Sequence, residues 1–83
     1  MDAHAATLAL LASRAPNATL CPSEVARKLA AGMEGGEVEW RSLMPIVHAA
    51  VDQMVAAGQV QLSWKGQSLP ARAGPYRIGR EPR

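Results

Sequence analysis

Apolar residues recur every three or four positions along the stretch "DAHAATLALLASR" at the start of the chain. This spacing is typical of an amphipathic helix. Asp2 is suited to cap the N-terminus of such a helix, and Pro16 follows its last apolar residue. The pattern therefore predicts a first helix at about residues 2–15.

A second helical pattern occupies "LCPSEVARKLAAGM". Pro22 fits the first helical turn, where its missing N–H has no partner to lose, and Glu24 suits the positive end of the helix dipole. Gly32 is predicted to end this helix. The acidic sequence "EGGE", Glu34 to Glu37, then predicts a flexible turn.

The third and longest helical pattern is "EWRSLMPIVHAAVDQMVAAG". Pro45 cannot lie inside a straight helix, because it lacks an N–H and its ring meets the preceding turn. We therefore expect one helical turn at 40–44 and a regular helix at about 45–57. Gly58 is predicted to end it in the left-handed conformation.

Two short strands are predicted near the end of the sequence. In "QVQLSW", residues 59–64, polar and apolar residues alternate, which places Val60, Leu62 and Trp64 on one face. After a loop at 65–74, "PYRIGR" at 75–80 predicts a second strand, antiparallel to the first. We expect Trp64, together with Trp40, to cover the core where the hairpin meets the third helix; stacking on bases or on a peptide is the alternative.

The predicted fold is mainly α with a small β-hairpin, in a single domain spanning residues 1–83. A two-stranded hairpin is marginal in water and needs a surface to lie on. A hairpin that packs on three helices is typical of a winged helix, a helix-turn-helix bundle with a C-terminal two-stranded wing. The second and third helices would form the helix-turn-helix, and residues 65–74 the wing.

Three segments resemble a small bacterial family known only as domain of unknown function 3253. They are "CPSEVARKL", "WRSLMPIVHAAVDQMVAAGQVQLSWKGQ" and "GPYRI", and the resemblance covers about residues 20–79. It implies a winged-helix fold and brings no activity with it. Members of the family often carry a basic residue at the position of His48.

The charge is unevenly distributed along the chain. Residues 1–52 carry four Lys or Arg against six Asp or Glu, and residues 53–83 carry five against one. A basic segment can attract phosphates. It can equally be a solvated end that keeps the protein in solution.

The sequence offers little that is typical of an enzyme, and we expect none. Cys21 precedes a predicted helix, where the dipole favours a thiolate, but neither His4 nor His48 is predicted to lie near it. We interpret Cys21 as a structural thiol. The chain shows no metal-ligand spacing, phosphate-binding loop or paired catalytic carboxylates, so no cofactor, metal or catalytic residue is predicted.

We also expect a cytoplasmic protein without a membrane partner. No run of about 20 apolar residues is present, and Asp2 stands where a signal peptide would carry a basic residue. The single cysteine excludes an internal disulfide.

Binding of double-stranded DNA is the first functional hypothesis. In a winged helix the third helix enters the major groove and the wing touches the backbone. The residues predicted to contact DNA are Arg41, Ser42, His48, Lys65, Arg72 and Arg77. The alternative is a winged helix that binds a protein partner or forms a homodimer, without nucleic acid.

Overall fold

A computed structural model of the chain describes residues 2–33 and 38–81. The acidic turn predicted at 34–37 lies outside these residues. The elements follow one another as α1 (Ala3–Ala12), β1 (Thr19–Leu20), α2 (Pro22–Ala31), a 3-10 helix (Trp40–Leu43), α3 (Met44–Ala56), β2 (Val60–Trp64), β3 (Gln67–Leu69) and β4 (Arg77–Arg80).

The ends of α1 and α2 are fixed by side chains that bond the backbone. The Asp2 carboxylate accepts a hydrogen bond from the Ala5 N–H at 2.8 Å, as the capping prediction requires. Helix α1 ends at Ala12 and is shorter than the predicted range. At α2, the Glu24 carboxylate accepts from the Cys21 N–H at 2.7 Å and pairs with Arg14 at 2.7 Å, which joins the end of α1 to the start of α2.

Pro45 divides the third helical segment as predicted, into the 3-10 helix and α3. The C-terminus of α3 is closed by a turn that needs glycine. Gly58 has φ of 72°, its N–H donates to Val55 O at 3.0 Å, and the Gln59 N–H donates to Met54 O at 2.9 Å. These two bonds form a Schellman motif, which reverses the chain into β2.

The sheet corrects the predicted two-stranded hairpin. It has four antiparallel strands in the order β1-β4-β2-β3, so the described chain is a mixed α and β domain. The predicted pairing of β2 with β4 is confirmed. Strand β1 pairs with β4 through two residues only, and β3 lies within the predicted loop and pairs with β2. Both are too short to show an alternating pattern.

One core joins the sheet to the helices. Leu20, Ile78 and Leu62 lie side by side on three neighbouring strands and are almost completely buried. They belong to the same cluster as Val47 and Met54 of α3. The opposite side of the sheet carries polar side chains, so only one face of the sheet is covered by helices.

The prediction for Trp64 is wrong. Its position in the alternation of β2 places it on the same side as Leu62, yet it is 39% exposed. Strand β2 continues past the buried core, so its last residue reaches solvent at the hairpin tip.

Trp40 is half-buried and packs against the core where the 3-10 helix contacts α2. Tyr76 is the aromatic residue that is buried, with 4% exposure.

Candidate interaction surface on α3 and the hairpin

The six residues predicted to contact DNA lie on five different parts of the fold. Arg41 and Ser42 lie in the 3-10 helix, His48 in α3, Lys65 at the hairpin tip, Arg72 in the loop before β4, and Arg77 in β4. Most of them bond to other residues of the same chain.

Arg41 and Ser42 both bond to Glu39, the residue that caps the 3-10 helix. The Arg41 guanidinium pairs with the Glu39 carboxylate at 2.9 Å, and both side chains are more than half exposed. The Ser42 hydroxyl donates to the Glu39 carbonyl at 2.7 Å. Hydrogen bonds from the Arg41 backbone and side chain hold the pKa of Glu39 below its ordinary value.

Helix α3 holds the loop before β4 by two polar contacts. Asp52 receives two hydrogen bonds from the Arg72 guanidinium, at 2.8 and 3.0 Å. One turn earlier, His48 Nδ1 lies 2.7 Å from the Tyr76 hydroxyl. We call this pair of contacts the loop clamp.

The loop clamp shifts the pKa of each group that titrates within it. Burial lowers the pKa of His48, and the nearby Arg72 charge lowers it further. The hydrogen bond from Arg72 lowers the pKa of Asp52, while burial raises the pKa of Tyr76 to about 12. A neutral imidazole that carries its proton on Nε2 can accept a hydrogen bond from the Tyr76 hydroxyl.

Arg77 and Lys65 differ in how far they are available to a partner. Arg77 is half-buried and donates to the Thr19 hydroxyl at 2.7 Å and to the Thr19 carbonyl at 3.1 Å, which ties β4 to β1. Lys65 is exposed at the hairpin tip, next to Trp64, with φ of 51°.

Arg27 of α2 is a site residue that the sequence did not indicate. Its guanidinium carbon lies 4.6 Å from the centre of the Trp40 ring, and that of Arg41 lies 4.4 Å from the same point. A charged residue on the outer side of an amphipathic helix usually belongs to a solvated face. Only the position of Trp40 relative to α2 could have revealed this contact.

The outward face of α3 carries no basic side chain. No residue of α3 from Met44 to Ala56 is Lys or Arg. The exposed residues that make up this face are Pro45, Ile46, Ala49, Asp52, Gln53 and Ala56. Ile46 is 53% exposed, and the one charge on the face, Asp52, is paired with Arg72. A cleft of about 450 Å³ runs along one side of this face, between α3 and residues 70–72.

The sequence matches the family model described as "Protein of unknown function (DUF3253)" over residues 2–81. The chain belongs to this family. The match includes α1 and β1 and so extends beyond the resemblance at 20–79. A comparison with curated proteins gives no match. Membership in DUF3253 therefore assigns no activity to the chain.

Within residues 2–33 and 38–81, no group of three His, Cys, Asp or Glu side chains is placed to hold a metal ion. Among the helices in those same ranges, none is long and apolar enough to cross a membrane.

Proposed function

We propose that this chain is a protein-interaction domain of winged-helix fold and that the outward face of α3 meets the partner. The order of elements supports the fold, since a strand between the first two helices pairs with the strand that follows the hairpin. The strand β4 then lies between β1 and β2 beside a three-helix core. This arrangement is typical of winged helices.

The observation that carries the proposal is the absence of Lys and Arg from α3. A helix that reads DNA in the major groove needs cations and hydrogen-bonding side chains on its outward face. Here that face offers Ile46, Pro45 and two alanines to solvent. Uncharged surface of this kind loses little when it leaves water and gains free energy when it is buried against another protein.

The residues next to this face also favour a protein partner. Trp40 and Arg41 immediately precede α3, and arginine and aromatic residues are enriched where protein interfaces gain most of their binding energy. Site-specific DNA binding often uses roughly 6–10 phosphate contacts. Arg72 would have to leave the Asp52 carboxylate before it could supply one.

Site-specific photo-crosslinking in the cells that make the protein tests this proposal. A photoreactive phenylalanine analogue replaces Ile46 or Gln53 on the outward face, and replaces Leu8 on α1 in a matched control. Leu8 is 43% exposed, so a photoreactive residue at this position on a different helix is also accessible to other proteins. We expect a discrete adduct from positions 46 and 53 and none from position 8.

The size of the adduct also identifies the kind of partner. An adduct with twice the mass of the chain would assign the surface to a second copy, and another mass to a different protein. An Ala49→Lys substitution should abolish the adduct formed from position 53, because it places a charge in the contact. Equal adducts from all three positions, or none from α3, would contradict the proposal.

DNA binding remains a second proposal, supported by the hairpin tip. Trp64 and Lys65 are both exposed there, and a wing of this kind can place a cation and an aromatic ring against a nucleic-acid strand. A short duplex would then bind with an affinity that falls steeply with salt, and Arg41→Ala with Lys65→Ala would weaken it. If no duplex shifts the NMR signals of these residues at low salt, the chain does not bind DNA through this surface.

A further inference from the structure

Two arginines from different elements meet over one tryptophan ring. Arg27 belongs to α2 and Arg41 to the 3-10 helix, and each guanidinium carbon lies within 4.6 Å of the centre of the Trp40 ring. The two carbons are therefore no more than about 9 Å apart. We call these three residues the arginine–tryptophan cluster.

Among residues 2–33 and 38–81, the cluster holds more positive charge than its carboxylate neighbours balance. Arg41 pairs with Glu39, whereas Arg27 has no carboxylate partner within residues 2–33 and 38–81. Both arginines are exposed. Contact with the indole ring is a weak attraction at an exposed site, but it restricts where each guanidinium can lie. The outcome is two oriented donor groups that face solvent.

The geometry points to a partner segment that carries carboxylates. We infer that the arginine–tryptophan cluster binds Asp or Glu side chains on an amphipathic acidic helix of the partner, an inference that rests on the proposed function. A planar guanidinium donates two parallel hydrogen bonds to a carboxylate, so two arginines can hold two acidic side chains of one helix.

The position of the cluster relative to α3 gives the rest of the partner's chemistry. Arg41 and Ser42 lie one helical turn before Pro45 and Ile46, so the cluster adjoins the outward face of α3. A helix that crosses both would place apolar side chains on Ile46 and carboxylates on the arginines. This is the helix-in-groove mode of recognition with an added electrostatic contact.

A carboxylate is favoured over a phosphate because one already occupies part of the cluster. The Glu39 carboxylate accepts from the Arg41 guanidinium at 2.9 Å and from the Arg41 backbone N–H at 3.3 Å. The site thus accommodates a carboxylate in the described structure. A nucleic-acid strand, moreover, offers no apolar side chain that could pack against Ile46.

Two synthetic peptides test the inference. One is an amphipathic helix of Leu and Glu, and the other is identical except that each Glu is Lys. The Nε–H signals of Arg27 and Arg41 are followed by NMR, and Trp40 emission is followed in a Trp64→Phe background. We expect the Leu–Glu peptide to shift both arginine signals and the Leu–Lys peptide to leave them unchanged.

Substitutions then separate the cluster from the face of α3. Arg27→Gln together with Arg41→Gln should lower the affinity for the Leu–Glu peptide roughly tenfold, since charge-assisted hydrogen bonds are lost. Lys28→Gln, which removes a neighbouring charge on α2, should leave the affinity unchanged. Ile46→Ser should weaken binding as well, because the apolar contact is lost and no charge is added.

Each result decides one of the two proposals. Loss of binding in Ile46→Ser alone would keep the proposed function and overturn the acidic-helix site. Loss in the double arginine variant alone would keep the site and contradict the role of α3. The inference also fails if neither peptide binds, if both bind equally, or if a DNA duplex shifts the same arginine signals at lower concentration.

Discussion

At the scale of single residues, His48 and Tyr76 show how a buried hydroxyl obtains its partner. The phenol is almost fully buried, and an unpaired hydroxyl there would cost about 1–3 kcal/mol. His48 Nδ1 lies 2.7 Å away, and in a neutral ring with its proton on Nε2 it accepts a hydrogen bond from the Tyr76 hydroxyl. The contact therefore depends on the protonation of the imidazole.

We predict that the protein loses stability as the pH falls through the range in which His48 titrates. Burial and Arg72 lower the pKa of His48 below 6.5 in the folded chain, although Asp52 acts in the opposite direction. The unfolded chain then binds the proton at a higher pH than the folded one, so the free energy of unfolding decreases as the pH drops below about 6.5. Urea unfolding at pH 7.5 and pH 5 measures this change.

His48→Gln is the control for that prediction, since the amide oxygen can accept a hydrogen bond from the Tyr76 hydroxyl but the amide does not titrate. The carboxyl groups of Glu24, Glu39 and Asp52 have lowered pKa values and act at more acidic pH. A wild-type chain that loses no more stability than His48→Gln between these two pH values would show that the imidazole is not responsible.

Tyr76 gives a second prediction at the same scale. Burial raises its pKa to about 12 from 10.0, so the folded chain keeps the phenol proton more firmly than the unfolded chain. Stability is therefore full below pH 10 and is lost as the pH rises toward 12. Tyr76 is the single tyrosine of the sequence, so phenolate absorbance reports on it alone.

The measurement compares the folded protein with the chain in urea. The phenolate should form near pH 10 in urea and at clearly higher pH in buffer, with circular dichroism recorded in parallel. Coincident titration curves, with the helical signal intact, would mean that the hydroxyl is not buried.

At the scale of elements, the turn between β2 and β3 contains a residue that is poorly suited to it. Lys65 has φ of 51° and Gly66 has φ of 80°. Positive φ at both central residues is the requirement of a type I′ hairpin turn, for which Asn-Gly is the preferred pair. A lysine in this conformation is strained, because its Cβ crowds the following carbonyl.

We predict that Lys65→Asn stabilises the protein by about 0.5 kcal/mol, because asparagine tolerates the left-handed conformation better than lysine. Gly66→Ala is the matched opposite change and should destabilise by about 1 kcal/mol. Urea unfolding of the three chains measures both effects. A Lys65→Asn protein that is less stable than wild type would show that the lysine makes a contact that the turn geometry does not reveal.

The elements that could be predicted from sequence are those with local signals. Pro22, Pro45 and Gly58 each act through the backbone at their own position, so the start of α2, the division before α3 and the end of α3 followed from them. Strand β1 could not be predicted, because Thr19 and Leu20 become a strand only when β4 lies beside them. Its pairing is a tertiary event.

The candidate site was less predictable than the helices for the same reason. The exposure of Arg41 and Lys65 followed from their position on predicted elements. The pairing of Arg72 with Asp52 and the contact of Arg27 with Trp40 join residues that are distant in sequence or lie on different elements. Periodicity and composition contain no information about such neighbours.

At the scale of the whole molecule, β4 connects parts that do not otherwise meet in the sheet. It lies between β1 and β2, its Ile78 is fully buried, and its Arg80 donates to carbonyls at the end of α1 at 2.8 and 3.2 Å. The free carbonyls at a helix C-terminus are well matched by a guanidinium. Strand β4 therefore secures the sheet and α1 together.

We predict that a chain ending after Tyr76 does not fold cooperatively. Without β4, strands β1 and β2 lose their common neighbour, and the remaining hairpin of β2 and β3 is too small to be stable. Circular dichroism during heating measures the transition. A chain ending after Glu81 is the control and should unfold in one sharp transition; equally sharp unfolding of the shorter chain would show that the helices suffice.

The position of β4 also sets an order for assembly. The pairing of β4 with β2 closes a loop between strands that are near in sequence. Arg77 of β4 and Thr19 of β1, in contrast, are 58 positions apart. Closing the longer loop costs more chain entropy, so β2 and β4 should meet early on the folding pathway and β1 should join late. In the native protein β1 would detach first. Its amide hydrogens would then exchange with solvent sooner than those in the hydrogen bonds between β2 and β4.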